Sequence, residues 1–142
     1  MDLHIDDFYR DAALGLVMLY QSFPRPVTLY LDDMVGVLPP DEVGLPHPRQ
    51  QHCLSTLLWL ASEGYIRHLG TLGHEALDQA ELSEKAFVRL AGTQHPFAGE
   101  LAAVPASIRR AQGSLAHQLR RHLGSRDSEA LISAMQHFFA ID

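Results

Sequence analysis

Six side chains within eight positions have the chemistry for specific hydrogen bonding to a partner: Arg49, Gln50, Gln51, His52, Ser55 and Thr56. They follow Pro48, and proline is favoured at the first position of a helix, where its missing N–H costs little. An arginine fork suits guanine O6/N7 and a glutamine amide suits adenine N6/N7, while hydroxyls one turn further on reach phosphate or a base. The same six residues also read as an ordinary solvated helix start. Arg67 and His68 open the segment after that helix and His74 stands further along, with Arg67 the firmly charged member. Two arginine pairs, Arg109-Arg110 and Arg120-Arg121, lie eleven residues apart. On one helix that spacing is about three turns, so both pairs would share a side and face phosphate, an acidic partner or solvent.

Other chemistries find less to work with. There is no phosphate-cradling glycine loop, no His-Glu-x-x-His and no nucleophile elbow, so no catalytic residues and no enzyme are expected. Asp32-Asp33 and Asp41-Glu42 sit beside proline-rich turns and read as caps or solvated acids. The nine histidines show no zinc-type spacing. His117 and His122 are five apart, which does not place them on one helix face, and no metal or other cofactor is expected. Cys53 is the one cysteine; set among leucines, it reads as a buried structural thiol.

Apolar spacing supplies the elements that must position these groups. Ile5, Phe8, Tyr9, Ala12, Ala13, Leu16, Val17, Leu19 and Tyr20 recur at steps of three and four, which predicts an amphipathic helix to Ser22. Asp6, Asp7 and Asp11 are expected in its first turns, where the helix dipole favours acids. Phe23-Pro24-Arg25-Pro26 ends it. Val27–Leu29 reads as a short strand, Tyr30–Val35 as a short helix, and 37–47 as a proline-rich connection with room for one helical turn at Pro40. The next helix runs from Pro48 to Ser62-Glu63-Gly64. Tyr65–Leu69 alternates like a strand, Gly70–Gly73 reads as a turn, and His74–Ala80 as the returning strand. Ser83 is a good N-cap for a helix reaching Gly92. One further helix is expected from Pro105 to Leu123 and a last one from Glu129 to Ile141. The short break between these two implies an antiparallel pair.

The order of elements, with Leu57-Leu58-Trp59-Leu60-Ala61-Ser62-Glu63-Gly64-Tyr65-Ile66 at its centre and Leu82-Ser83-Glu84-Lys85-Ala86 after the hairpin, resembles the winged helix-turn-helix superfamily. The likeness is to small bacterial regulators of the MarR and PadR types and covers residues 5–92. It implies a mainly α fold with a small β-hairpin wing (α+β), here a winged-helix domain over 1–92 with a C-terminal helical extension over 93–142. It also implies a cytoplasmic, homodimeric transcription regulator bound to double-stranded DNA. Arg49, Gln50, Gln51, His52, Ser55 and Thr56 would lie in the major groove, and Arg67 and His68, in the wing, would rest on phosphate or in the minor groove. Leu115, Leu119, Leu131, Met135, Phe138 and Phe139 offer more apolar surface than a lone helical pair can bury, so they are the expected dimer interface.

Charge supports a different partner. Residues 1–100 carry fourteen acids and six Lys/Arg, a balance of −8, whereas 101–142 carry three acids and five arginines, a balance of +2. Tight DNA binding depends on neutralising phosphates, and an acidic body opposes it. The connection from Gly36 to His47 is about a dozen residues, where a DNA-reading turn is normally three or four. These features favour a winged-helix protein–protein interaction adaptor or assembly subunit. A third reading is a ligand-sensing pocket between body and C-terminal hairpin. No membrane segment is expected, because the longest apolar run near the N-terminus is too short to span a bilayer.

Overall fold

The computed structural model describes residues 3–92 and 105–141, without the Arg109 side chain. Eleven elements follow one another among the described residues: α1 (Leu3–Ser22), β1 (Val27–Tyr30), α2 (Asp32–Val35), α3 (Pro48–Ser62), β2 (Ile66–Arg67), β3 (Thr71–Leu72), β4 (Ala76–Leu82), α4 (Glu84–Ala91), α5 (Ala106–Gln112), α6 (Leu115–Ser125) and α7 (Ser128–Ala140). The protein is mainly helical with one small antiparallel sheet of four strands.

α1 is the axis of the molecule. Its apolar stripe, Ala12, Ala13, Leu16, Val17 and Leu19, is buried. Gly15 lets α3 approach closely, since a Cβ there would stand 2.8 Å from Leu57 Cδ2. α3 answers with Cys53, Leu54, Leu57 and Leu60, all buried. β4 is the central strand. β1 pairs along one edge (Leu29 with Leu77, Tyr30 with Ala76). β2 and β3 share the other edge (Ile66 with Leu82, Thr71 with Leu77). Leu29 and Leu77 thus form one inward-facing row and both are buried.

Three expectations need correction. Gly70 lies in a bulge and not in the hairpin turn: its φ is +132°, its N–H donates to His68 Nδ1 at 2.9 Å, and its carbonyl accepts from Asp78 N. The turn itself falls at Gly73-His74-Glu75, between β3 and β4. Around Pro40 no helical turn forms among the described residues. Instead Asp41 Oδ1 accepts from the backbone N–H of Val43 and Leu45, at 3.0 and 2.8 Å, closing an Asx-type loop. The helix expected from Pro105 to Leu123 is two helices. Ser114 caps α6 by accepting from His117 N at 3.1 Å, and Leu115 N donates to Gly92 O. Arg110 and Arg120-Arg121 consequently stand on different helices.

α6 and α7 join at Arg126, in the left-handed conformation at φ 57°, and Asp127, which caps α7 through Ala130 N. Both helices pack on α1. Leu115, Ala116, Leu119, Leu131, Met135 and Phe138 belong to the same buried cluster as Leu16 and Leu57. The boundary expected at residue 92 therefore does not separate two cores among the described residues.

Candidate interaction surface around α3

α3 begins with its own cap: His47 Nδ1 accepts from Arg49 N at 3.0 Å, and Pro48 fills the first position. From there the sequence sends alternate faces to different fates. Asp11, expected near the exposed start of α1, is instead in its third turn and fully buried. It meets Arg49 in a bidentate pair, with Nη1 to Oδ2 and Nη2 to Oδ1 both at 2.6 Å. Asp7 adds a second carboxylate 3.7 Å from Arg49 Nε. The hydrogen bonds it donates to Asp11 hold the Arg49 guanidinium above its ordinary pKa, against the opposing effect of burial, with the charges of Asp11 and Asp7 adding to the rise.

The remaining candidates are largely turned inward or engaged. Gln50 is buried and donates through Nε2 to His74 O at 2.8 Å. Thr56 is buried and donates to His52 O at 3.1 Å. His52 is half-buried, its Nδ1 lying 3.9 Å from Asp11 Oδ2 with no hydrogen-bond partner among the described residues. Gln51 is exposed and donates to Pro46 O at 2.6 Å. Arg67 is exposed, 3.4 Å from Glu81, and His68 is half-buried against Gly70. Ser55 is exposed and free of such bonds among the described residues. The eight residues therefore do not converge on one outward site. The outward ridge of α3 is Gln51, Ser55, Trp59 and Ser62, all uncharged.

Trp59 is 41% exposed. One edge is held by Phe8 and Phe139, at ring distances of 5.2 and 5.5 Å in T-shaped contacts. Behind them Tyr65 and Phe138 continue the aromatic seam at 5.1 Å. Lys85 Nζ sits 4.2 Å over the Tyr65 ring, and Arg89 donates to the Tyr65 hydroxyl at 3.0 Å. The expected dimer residues belong to this interior. Leu115, Leu119, Leu131, Met135 and Phe138 are buried within the chain and Phe139 is half-buried. Their apolar surface is covered by α1 and α4 and by each other, because the C-terminal helices fold back on the body.

Two hollows of the described surface have more than one acid in their walls. One, of about 570 Å³, lies between the proline connection and the hairpin turn, with Asp32, Val37, Leu38, Pro46, Gln50 and Glu75 among its walls. The other, of about 390 Å³, lies between the start of α1 and the α6–α7 junction, where Asp6, Asp7 and Asp127 face Arg10 and Arg126. No group of three or more His, Cys, Asp or Glu able to hold a metal occurs among the described residues. No described helix is long and apolar enough to cross a membrane.

Cys53 is fully buried, 3.9 Å from Met34 Sδ. Burial pushes its thiol up from 9.0 to about 12, with the Asp11 charge adding to the rise. A raised folded-state value means the neutral thiol favours the native state. That contribution is whole below about pH 9 and is lost as pH climbs towards 12. Native protein at pH 8 is expected to resist a thiol-specific chromophoric disulfide over an hour while urea-unfolded protein reacts within minutes. Rapid labelling of the native form would show that the thiol is accessible.

Comparison of the chain with protein-family models, curated proteins and solved structures finds no match.

Proposed function

We propose that the protein is a winged-helix module that binds another protein through the α3 side of the molecule and does not read DNA. The winged-helix part of this reading draws on the element order and on the placement of β1 and the β2–β3 edge on either side of β4. The choice of partner rests on one observation: Arg49, the sole cation on α3, is clamped by buried Asp11.

A helix seated in the major groove needs free donors, and its flanks need cations on phosphate. Here the hairpin adds Arg67 opposite Glu81 and further acids at Glu75 and Asp78. The net charge of −6 adds a repulsive field. A neutral ridge bearing a half-exposed, rigidly held tryptophan has the composition of a protein-contact centre, where aromatic residues dominate and charges are depleted. The alternative, DNA binding as a homodimer, draws on the topology without a free cation on the helix that would enter the groove.

The test begins with a photo-crosslinking residue at Ser55 in the source cells, identification of the captured protein, and reconstitution with that protein purified. Ser55→Arg, at an exposed position, is expected to weaken the reconstituted complex at least about tenfold with an unchanged circular dichroism spectrum. Anisotropy on genomic fragments should show no binding even at low salt. A sequence-preferring footprint whose affinity falls steeply with salt would overturn the proposal.

A further inference from the structure

We infer that the hollow between the proline connection and the hairpin turn is a docking groove for an arginine- or lysine-bearing apolar segment of the partner protein. The inference rests on the protein-binding reading above and supplies the chemistry of the partner.

Several features of this face agree. Asp32 and Glu75 stand among the groove walls, and both are exposed without a cationic partner among the described residues. Asp33, Asp41 and Glu42 continue the acidic surface, while no Lys or Arg occurs from Pro26 to Pro48. Uncompensated like charges destabilise the free protein and are relieved by a cation. These acids do not form a metal site.

Between these acids and the polar side chains of Gln50 and His74, the apolar groups Val37, Leu38, Pro40 and Pro46 line the groove. Val37 is 83% exposed, and Val43 and Leu45 beside it are exposed as well. A bare cation would leave these side chains in water, so the fitting occupant carries apolar side chains next to its charge. Gln50 supplies a further, independent mark. It is 91% buried, being 9% exposed, and lines the groove. Its amide nitrogen is fixed on His74 O, and its carbonyl oxygen accepts no hydrogen bond among the described residues. That oxygen is open to solvent and not enclosed, and an acceptor in the groove wall suits a guanidinium or ammonium ligand, which consists of donors alone. The groove's volume, about 570 Å³, holds a few side chains and not a folded domain.

The test uses the full chain and a dye-labelled nonapeptide alternating arginine and leucine, with the same peptide carrying glutamate for arginine as its control. The arginine peptide is expected to bind and to weaken as salt rises, and the glutamate peptide not to bind. Asp32→Asn with Glu75→Gln should cost at least about tenfold in affinity with the fold intact, each removed charge counting for about the energy of a partly desolvated ion pair. Glu84→Gln with Glu129→Gln, two exposed acids away from the groove, should leave affinity within about twofold. Equal loss from both pairs, or binding of the glutamate peptide, overturns the groove. Sedimentation velocity covers the other occupant: if Asp32→Asn with Glu75→Gln turns an oligomer into a monomer, the groove holds a second copy and the inference fails. Capture of a partner through Ser55 that is insensitive to Asp32 and Glu75 would remove this groove while leaving the protein-binding proposal standing.

Discussion

Replacing Arg49 with alanine is expected to lower the unfolding free energy by about 3–5 kcal/mol, among the largest effects of any single surface-proximal change in this chain. The reason is the partner left behind. Asp11 has no exposed side-chain area, and Arg49 provides both of its 2.6 Å hydrogen bonds. The other cationic neighbours are poor substitutes: Arg10 Nη1 is 3.7 Å away on a half-exposed side chain and donates to Met34 O, and His52 Nδ1 is 3.9 Å away. A carboxylate stranded in the interior costs several kcal/mol after relaxation. Arg49→Lys should recover only part of the loss, because an ammonium cannot make the two parallel bonds. Removing both charges, as Asp11→Leu with Arg49→Met, should return most of the stability, since an apolar pair of similar volume avoids the stranded ion. Urea melts followed by circular dichroism would measure all four proteins. A loss below about 1 kcal/mol for Arg49→Ala would mean that Asp11 reaches water and that the clamp is not holding α3 against α1. The same cycle bears on function: if Asp11 holds Arg49 this firmly, that guanidinium is not available to a base or a phosphate.

How much of this was legible depends on the range of the forces involved. α1, α3 and the Ser83 cap follow from local rules, because apolar spacing and a capping hydroxyl act within a turn of chain. The helical stop inside 105–123 was also local: Gly113-Ser114 combines a helix breaker with an N-cap, and the run of leucines masked it. The placing of Gly70 in a bulge was not local. It follows from β4 pairing with β1 and with the β2–β3 edge at once, which fixes which N–H groups of 68–79 must bond. The Asp11–Arg49 clamp left a partial trace. Asp11 sits three residues after Phe8 and four before Gly15, inside the stripe that packs inward, and a buried acid demands a cation. Choosing Arg49 as that cation required the crossing of α1 over α3 at Gly15. The eight proposed contact residues failed to converge for a related reason. Gln50 and Thr56 have the residue types of a readout face, but they share a side of the helix with Cys53, Leu57 and Leu60, and burial decided their partners. The acidic groove was legible only as composition, in a stretch rich in proline and free of Lys and Arg; its walls come from two separate segments, 32–50 and 73–75.

A chain ending at Gly92 is expected to lose cooperative unfolding altogether. Five large side chains of the C-terminal helices, Leu115, Leu119, Leu131, Met135 and Phe138, are at most 5% exposed. At about 1.5–3 kcal/mol for each fully buried side chain, their gross contribution is on the order of 7–15 kcal/mol. That matches the whole net stability of an ordinary domain, about 5–15 kcal/mol. The shortened chain no longer bears the ordering entropy of the removed helices, so the net loss is smaller than the gross figure. It does leave the inner faces of α1 and α4 open to water, and these cannot close over one another, because α3 and the sheet already fix their positions. Two hydrogen bonds also disappear, from Arg89 to Phe138 O at 3.3 Å and from Leu115 N to Gly92 O at 3.1 Å. The expected product retains far-ultraviolet helical signal, binds a hydrophobic dye and melts without a sharp transition. Phe138→Ala in the full chain isolates the same effect at one position. Its ring has no exposed area and packs on Tyr65 at 5.1 Å, so the cavity should cost about 3–5 kcal/mol. Two results would separate an appended helical pair from an integral one. If the shortened chain melts sharply and Phe138→Ala costs under about 1 kcal/mol, residues 3–92 hold their own core. If both effects are large, the C-terminal helices are a wall of the body, and the α3 ridge owes its rigidity to Phe139 behind Trp59.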